Sequence, residues 1–472
     1  MSTVYESRQG AAAGPLRALL ADASPQSVIA WRQGRAISVG QFLADIDALA
    51  ARLPAAAAAV NLCEDRYAFL VAFATLLVRG QTNLLPPSRA AHAIDATMAA
   101  HPGSYCLGDA DLDPAPPHYL RFAATAGGGT ATSAVVIAEA ALAAIGYTSG
   151  STGVPRANPK RWGKLAISSG HNDALLRALA GGDYHVVATV PPQHMYGLEF
   201  SVLLPLFGHA AVHAGRPFFA ADIAVALAEM PEPRILVTTP VHLRAILDSA
   251  HALPRFAGIV SATAPLAREL AREAEERFSA PVQEVFGSTE TCVIAHRRTA
   301  SEAAWTPYAG VTLHPQPDGT RIDAPQLVEP VVLADIVEVP VAGRFVLRGR
   351  NTDLLEIAGK RASLGDLTHK LLAVPGVRDG VVFQMDDLDA MGVRRIAALA
   401  VAPGVAPAAV LDALRRDIDP VFLPRPLKLV AALPRSGTGK LPRAALLEML
   451  RRDSGLGTRD SEKDAEWPSL AR

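Results

Sequence analysis

The chain has few cysteines, almost no net charge and no long apolar run, and each shortage excludes a class of protein. Its 472 residues include three cysteines, Cys63, Cys106 and Cys292, too few and too far apart for a disulfide scaffold or a metal-ligand motif. Lys plus Arg number 45 against 46 for Asp plus Glu, so a net charge of −1 gives no reason to expect nucleic acid or an anionic membrane as partner. The longest apolar run, 67–78, is too short to span a bilayer and predicts a buried helix.

The start of the chain, MSTVYESRQG, lacks the basic residues and apolar stretch of a secretory signal. No internal repeat is visible. Hydrophobic residues make up 50% and charged residues 19%, which provides for a large core and excludes a coiled coil or intrinsic disorder. We therefore expect a soluble, cytoplasmic protein of several domains.

Strand and helix signals divide the chain into regions. The first 140 residues are Ala-rich and predict mostly helices, for example over 39–53. From Ala144 onward, β-branched runs at 185–190, 235–238, 258–261 and 282–286 alternate with amphipathic stretches at 196–206, 241–250 and 266–278. This alternation predicts a parallel α/β sheet, in which ligands bind beyond the carboxyl ends of the strands. Segments 261–265 and 287–290 fall at such ends.

The last part of the chain differs in charge. Residues 351–452 hold 15 Lys and Arg against 11 Asp and Glu and predict a small α+β unit. Its expected elements are 354–357, 364–374, 380–384, 396–401, 408–417 and 427–431. Residues 453–472 are polar and predict a frayed tail. The expected domains are therefore 1–351 and 352–452, followed by this tail.

Residues 147–160, YTSGSTGVPRANPK, are the most informative segment. Two glycines interrupt a run of four hydroxyl residues, and a basic residue follows. Glycines let the backbone fold closely around an anion, and N–H and hydroxyl groups donate to phosphate oxygens. The spacing differs from that of the P-loop NTPases. The alternative is a solvated Ser/Gly linker.

Three further segments accompany it: FGSTE at 286–290, LRGRNTDLLEIAGKR at 347–361 and LPRSGTGKLPR at 433–443. In this order the four segments resemble the adenylate-forming (ANL) superfamily of acyl- and aryl-CoA synthetases, peptide-synthetase adenylation domains and luciferases. The resemblance covers about residues 30–450. It implies an α/β fold with a large N-terminal domain of parallel-sheet subdomains and a small mobile α+β C-terminal domain.

The resemblance also implies a two-step reaction. ATP, with Mg²⁺, and a carboxylic acid give an acyl-adenylate and pyrophosphate; a phosphopantetheine thiol of a carrier protein or coenzyme A then displaces AMP. The first step brings negative charges together, so it demands cations and oriented donors rather than a covalent nucleophile.

Site residues follow from the matched motifs. The β- and γ-phosphates are assigned to Thr148, Ser149, Gly150, Ser151, Thr152 and Gly153. In the second motif, Phe286, Gly287 and Ser288 contribute to the nucleotide site, Thr289 bonds the α-phosphate and Glu290 holds Mg²⁺. Asp335 binds the ribose hydroxyls with support from Arg350, and Lys440 bridges the carboxylate and the α-phosphate. The acyl pocket is assigned to His194, Tyr196, Gly197, Ser261, Ala262, Thr263 and Cys292. Thr352 is the expected hinge, and Gly359, Lys360 and Arg361 are expected at the thiol tunnel.

Each assignment has a simpler alternative. Glu290 could begin a helix with Thr289 as its cap, and Asp335 could be an exposed acid at a strand end. Lys440 could be a surface lysine, and His194 a core residue with its hydrogen bonds satisfied. Cys292 is expected in the pocket wall rather than as a nucleophile, because no base is near it in sequence.

The chain also departs from the family pattern. Arg156 stands where Lys is usual, Thr352 where the hinge is commonly Asp or Lys, and 261–265 reads SATAP where Ser-Gly-Gly-Ala-Pro is frequent. The extra methyl groups and hydroxyl predict a narrower pocket. The usual Gly-Glu-x-Gly-Glu stretch is not recognisable between Ala295 and Asp335. None of these changes removes a catalytic group.

A small aromatic acid such as hydroxybenzoate is the expected substrate, since the HMYGLE segment at 194–199 resembles ligases of aryl-polyene or xanthomonadin pigment synthesis. A medium-chain fatty acyl ligase and a degenerate, non-catalytic nucleotide-binding module are the alternatives. Basic residues spread over the small domain favour an acidic acyl carrier protein as partner.

Overall fold

The structure, a computed structural model, describes residues 14–21, 24–124, 135–148, 156–317, 319–341, 343–350, 354–357, 360–388, 394–435 and 441–451. They form two compact units that divide between Leu354 and Leu355. Across these ranges, every helix is too short or too polar to cross a membrane.

The first unit opens with strands and helices in alternation. In order they are β1 (Leu16–Ala18), β2 (Val28–Arg32), β3 (Arg35–Ser38), α1 (Val39–Ala50), β4 (Ala58–Asn61), α2 (Arg66–Val78), β5 (Thr82–Leu85), α3 (Ala91–Ala99), β6 (Tyr105–Gly108), β7 (Tyr119–Arg121), β8 (Val136–Ala138), β9 (Leu142–Thr148) and β10 (Arg156–Arg161). The expectation of a mostly helical start is therefore wrong. Strands such as β4 and β6 are buried along their whole length, so they lack the polar alternation that marks a half-exposed strand.

A six-stranded sheet is built from this region, in the order β10-β9-β5-β4-β6-β7. Its strands are parallel except β10, which runs antiparallel to β9. Thr148 at the end of β9 pairs with Arg156 at the start of β10. The segment expected to grip phosphate therefore joins two neighbouring strands.

The next elements alternate as expected: α4 (Trp162–Ala180), β11 (Tyr184–Ala188), α5 (Met195–Leu198), a π-helix (Glu199–Leu203), α6 (Leu204–Phe207), β12 (Ala210–His213), α7 (Ala220–Ala228), β13 (Arg234–Thr238), α8 (Pro240–Asp248), β14 (Gly258–Ser261), α9 (Arg268–Phe278), β15 (Val282–Ser288), β16 (Cys292–Arg297) and β17 (Thr306–Pro307). They form a nine-stranded sheet in the order β17-β16-β15-β14-β13-β11-β12-β2-β3. Its central strands are parallel, which confirms the predicted α/β sheet.

Helix α2 lies at the centre of the main hydrophobic core. All of its side chains are buried, and it contacts β4 and β5 of one sheet and β12 of the other. The Asp65 side chain caps its start by accepting a hydrogen bond from the Ala68 N–H at 2.8 Å. The predicted buried helix over 67–78 is confirmed.

Short strands complete the first unit: β18 (Thr312–Gln316), β19 (Gly319–Asp323), β20 (Val331–Leu333), β21 (Asp335–Val341) and β22 (Arg344–Arg350). Strands β18-β19-β20 form one antiparallel sheet, and β21 pairs with β22.

The second unit is a small α+β body. Its elements are β23 (Leu354–Ile357), which begins at the division, β24 (Lys360–Ser363), α10 (Leu364–Leu372), β25 (Asp379–Leu388), β26 (Arg394–Val401), α11 (Pro407–Asp417), a 3₁₀ turn (Pro420–Phe422), β27 (Leu427–Leu429) and α12 (Arg443–Arg451). Strands β25, β26 and β27 form a sheet, and its core includes Leu367, Leu371 and Val410.

Candidate functional site

The FGSTE segment forms one side of a tight hairpin. Strand β15 continues through Ser288, which pairs with Cys292 at the start of β16, so Thr289, Glu290 and Thr291 make the turn. The alternative of a helix start with a Thr289 cap is therefore wrong. At Gly287 a Cβ would lie 2.2 Å from the Cys292 carbonyl oxygen, so this close strand approach requires glycine.

The hairpin turn lies against β9, the strand that leads into the segment expected to bind phosphate. A Cβ placed on Gly146 of β9 would be 3.0 Å from Thr289 Cγ2 and 3.5 Å from Met195 Cε. Thr148 follows two residues later at the end of the same strand. The structure thus brings the beginning of the first motif next to the second. Residues 149–153 lie outside the described residues.

Tyr196 ties helix α5 to the carboxyl ends of two parallel strands. Its fully buried hydroxyl lies 3.1 Å from the carbonyl oxygen of Thr238 and 2.9 Å from that of Val260. Burial raises its pKa well above the ordinary value, so the phenol stays a donor. At the next position, Gly197, a Cβ would lie 2.0 Å from the Pro191 carbonyl oxygen. His194 is half-buried at the N-cap of α5.

The end of β14 and the residues after it carry two hydroxyl groups that have no hydrogen-bond partner in the described part of the chain: Ser261 Oγ and Thr263 Oγ1, both buried. Ala262 between them is also buried. Thr263 has φ +78°, a left-handed conformation that a β-branched residue rarely adopts. Strain of this kind is typical of functional segments.

Cys292 is buried beside the hairpin turn. Burial raises the pKa of its thiol to about 12, which keeps it protonated and unsuited to act as a nucleophile. Its φ of +59° is also left-handed, so both this residue and Thr263 strain the backbone near the strand ends.

Sequence reasoning missed a buried charged network beneath the hairpin. Lys160 Nζ donates to the Glu290 carbonyl oxygen at 2.8 Å. Glu199 Oε2 accepts from Ser168 Oγ at 2.6 Å, and from Asn172 Nδ2 and the Val293 N–H at 3.2 Å each.

Burial raises the pKa of Glu199, an effect that these hydrogen bonds and the charge of Lys160 oppose. One signal was available in the sequence, because Glu199 is the single charged residue of the apolar stretch YGLEFSVLLPLF at 196–207.

Asp335 and Arg350 stand opposite each other as backbone partners in the β21–β22 pair. The structure therefore brings together the two positions that the resemblance links to the ribose. Asp335 is half-buried, and its carbonyl accepts a hydrogen bond from Thr320 Oγ1 at 2.6 Å. Thr352, Gly359 and Lys440 lie outside the described residues; of Lys360 and Arg361 only the backbone, in β24, is described.

The side-chain oxygens at the turn are suitable ligands for magnesium. Thr289 and Glu290 offer a hydroxyl and a carboxylate, the hard ligands that Mg²⁺ prefers. Among the described residues there is no group of three or more His, Cys, Asp or Glu that could hold a metal by itself.

Two known proteins that are similar to this chain in sequence are CoA ligases. The 4-coumarate–CoA ligase of Rhodobacter capsulatus is 34% identical over 241 residues, which cover 50% of this chain and 58% of the relative. The 3-hydroxybenzoate/4-hydroxybenzoate–CoA ligase of Thauera aromatica is 26% identical over 350 residues, 65% of this chain and 66% of the relative. The chain thus spans little more than half of the first relative's length.

Two solved structures share the fold. ATP-bound MatB from Rhodopseudomonas palustris has a TM-score of 0.77 at 20% identity and covers 91% of this chain and 97% of its own. The o-succinylbenzoate CoA synthetase of Bacillus subtilis with its acyl-adenylate has a TM-score of 0.75 at 16% identity, covering 90% and 96%. A family model described as AMP-binding enzyme matches residues 18–323. Because this match takes in well over half of the chain, the protein belongs to the family of AMP-binding enzymes, within the adenylate-forming superfamily.

Proposed function

We propose that this protein is an ATP-dependent ligase that converts a carboxylic acid to an acyl-adenylate and transfers the acyl group to a thiol. The observation that carries the proposal is the close approach of Thr289 to β9. A Cβ placed on Gly146 would lie 3.0 Å from Thr289 Cγ2. This approach brings the end of β9, where Thr148 lies, next to the 289–291 turn at the carboxyl ends of the strands, where ligands bind in such sheets.

The residues have complementary roles in the first step. Segment 148–153 binds the β- and γ-phosphates, and Thr289 donates to the α-phosphate. Magnesium, when bound, neutralises phosphate charge, and Glu290 is the residue that holds it. Asp335 orients the ribose with support from Arg350, and Lys440 stabilises the charge that develops between carboxylate and α-phosphate. Phe286, Gly287 and Ser288 form the strand that presents Thr289 and Glu290.

The proposed substrate is a small aromatic acid of the hydroxybenzoate type. Two curated relatives are named for 4-coumarate and hydroxybenzoates. The compact segment 261–263, with Thr263 in place of a frequent glycine, also suits a short, flat acid better than a long chain. Cys292, His194 and Tyr196 are the proposed neighbours of the ring. A medium-chain fatty acid is the alternative substrate.

A pyrophosphate-exchange assay with a panel of acids tests the function and the substrate together. Hydroxybenzoates and cinnamates should support exchange of labelled pyrophosphate into ATP at higher kcat/KM than octanoate or decanoate. Preference for the fatty acids would contradict the proposed aromatic substrate but would still support the proposed ligase activity. No exchange with any acid, in folded protein that binds ATP, would favour a non-catalytic nucleotide-binding module.

For the second step we propose a phosphopantetheine thiol as acceptor, and a carrier protein in preference to coenzyme A. The small unit carries basic residues at Lys360, Arg361, Arg378, Arg394, Arg395, Arg415 and Arg416. Arg378, Arg395, Arg415 and Arg416 are exposed, although Arg415 pairs with Asp412. Spread over a whole unit, such charge suits an acidic protein surface and chiefly raises the rate of encounter.

Acyl transfer at rising ionic strength distinguishes the two acceptors. Transfer to an acidic carrier protein should slow as salt screens charges beyond about 8–10 Å. The thioester product is measured by mass spectrometry. Efficient transfer to coenzyme A with none to any carrier protein would contradict the preference and identify a CoA ligase.

A further inference from the structure

Lys160 and Glu199 are buried charges at the ends of the 147–160 and 194–199 segments, and the resemblance assigns neither of them a role. Their exposed fractions are 7% and 1%. Lys160 lies near the end of β10, and Glu199 is the first residue of the π-helix. A π-helix within an α-helical segment is often found at a functional site.

The two side chains hold opposite ends of one turn. Lys160 Nζ donates to the carbonyl oxygen of Glu290 at 2.8 Å, and Glu199 Oε2 accepts from the backbone N–H of Val293 at 3.2 Å. Between these two points lie Thr291 and Cys292, the latter with φ +59°. The Lys160 ammonium therefore binds a carbonyl at one end of the turn, and the Glu199 carboxylate binds an N–H at the other end.

Further contacts fix the two charges themselves. Ser168 and Asn172, both on α4, donate to the same Glu199 oxygen. Tyr308 in turn donates to Asn172 Oδ1 at 2.9 Å. The turn is thus linked to α4 through hydrogen bonds that meet at Glu199.

Stability alone does not account for such an arrangement. Removing two charges from water is costly, and apolar side chains of similar volume often serve a core as well or better. At this position the buried charges instead orient the turn, because each makes a directional, charge-assisted hydrogen bond to its backbone.

We propose that Lys160 and Glu199 are positioning residues that hold the 289–292 turn so that the Glu290 carboxylate meets magnesium–ATP. This rests on the proposed function, because Glu290 is the residue assigned to the metal. Neither residue touches the nucleotide in this proposal; both act through the backbone of the turn, in the manner of the outer groups that orient metal ligands.

The test compares ATP binding with and without magnesium by calorimetry. The ratio of the two affinities reports on the metal ligand, whereas general damage lowers both affinities alike. Lys160→Met removes the charge and keeps the length of the side chain. Lys428→Met is the matched control, because Lys428 Nζ also donates to a backbone carbonyl, that of Met449 at 2.7 Å, within the second unit.

Lys160→Met should lower the magnesium-dependent ratio about 10- to 100-fold, the usual effect of losing an outer group at a metal site, and Lys428→Met should leave it unchanged. Hydrogen exchange in the protein without nucleotide should quicken for a peptide over 288–297 and not for one over 234–238. A ratio in folded Lys160→Met equal to that of wild type overturns the positioning role and leaves the proposed function standing.

Glu199→Gln is the second variant, which keeps the shape of the side chain and weakens the bond from Val293. It should lower the same ratio and quicken exchange in the same peptide. If Lys160→Met does not fold, an unchanged ratio in Glu199→Gln overturns the proposal. A wild-type protein whose ATP affinity is independent of magnesium would instead overturn the proposed function, and the positioning role with it.

Discussion

Thr263 is a β-branched residue with a left-handed backbone conformation, which such residues rarely adopt. It has φ +78° where glycine would be unstrained, and its buried Oγ1 has no partner among the described residues. Neighbouring bonds hold the segment in place: Tyr196 bonds the carbonyl of Val260, and the Leu266 N–H donates to Glu284 Oε1 at 3.0 Å. The surroundings therefore impose a conformation that the side chain opposes.

Thr263→Gly should stabilise the protein and widen the pocket. Left-handed strain costs about 1–3 kcal/mol, and the added freedom of glycine in the unfolded chain costs about 0.5–1 kcal/mol, so the free energy of unfolding should rise. Urea denaturation measures it, and the exchange assay should show bulkier aromatic acids becoming substrates. Ala264→Gly is the control, because Ala264 has a negative φ. This variant should lower the free energy of unfolding by about 0.4–1 kcal/mol. Equal losses in both variants would contradict the strain at Thr263.

At the scale of elements, the segment from α5 through the π-helix to α6 organises the candidate pocket. The sequence predicts a helix over 196–206, and a helical segment is present, but with a π-turn at Glu199–Leu203. The wider turn coincides with the place where Glu199 enters the buried network and Ser201 bonds the guanidinium of Arg66. Burial lowers the pKa of Arg66 to about 9, an effect that nearby Arg216 adds to.

Tyr196→Phe tests how this segment is linked to the sheet. The variant leaves the Thr238 and Val260 carbonyls without their donor, which should cost about 1–3 kcal/mol of stability and raise the KM for the carboxylic acid. Tyr105→Phe is the matched control, since its hydroxyl donates to Gln81 at 2.8 Å in the other sheet. Its stability should fall too, with the KM unchanged. An unchanged KM for the carboxylic acid in both variants would show that Tyr196 does not contribute to the acyl pocket.

At the scale of the whole molecule, the chain divides into a large and a small compact unit. The division lies between Leu354 and Leu355, two residues beyond the proposed hinge at Thr352. The residues of the proposed first step lie on both sides of this division in the sequence, since Thr289 and Glu290 precede it and Lys440 follows it.

Lys440→Ala should affect only the first half-reaction. Loss of one cation at a site of developing charge should slow acyl-adenylate formation about 10²–10³-fold, while thioester formation from supplied acyl-adenylate keeps its rate. Single-turnover kinetics measure each step. Lys428→Ala, which removes a 2.7 Å bond to the Met449 carbonyl in the same unit, should leave the balance between the steps unchanged. Equal slowing of both steps by Lys440→Ala would contradict the assignment.

The sequence by itself determined the superfamily and the parallel sheet, because both are encoded locally. Glycine and hydroxyl spacing within 148–153 and 286–290, and the alternation of strands with helices from β11 to β15, can be recognised within a few residues. The prediction of mostly helices in the Ala-rich first 140 residues was wrong, because fully buried strands lack the polar alternation by which a strand is recognised.

Only the tertiary structure decided what surrounds these motifs. Lys160 and the Glu290 carbonyl are 130 residues apart in sequence, and Glu199 and Val293 are 94 apart. The hairpin at Thr289 and the left-handed backbone of Thr263 likewise depend on neighbouring strands. No local pattern encodes such contacts, because they exist only once the packing of distant segments has overcome the conformational entropy of the chain.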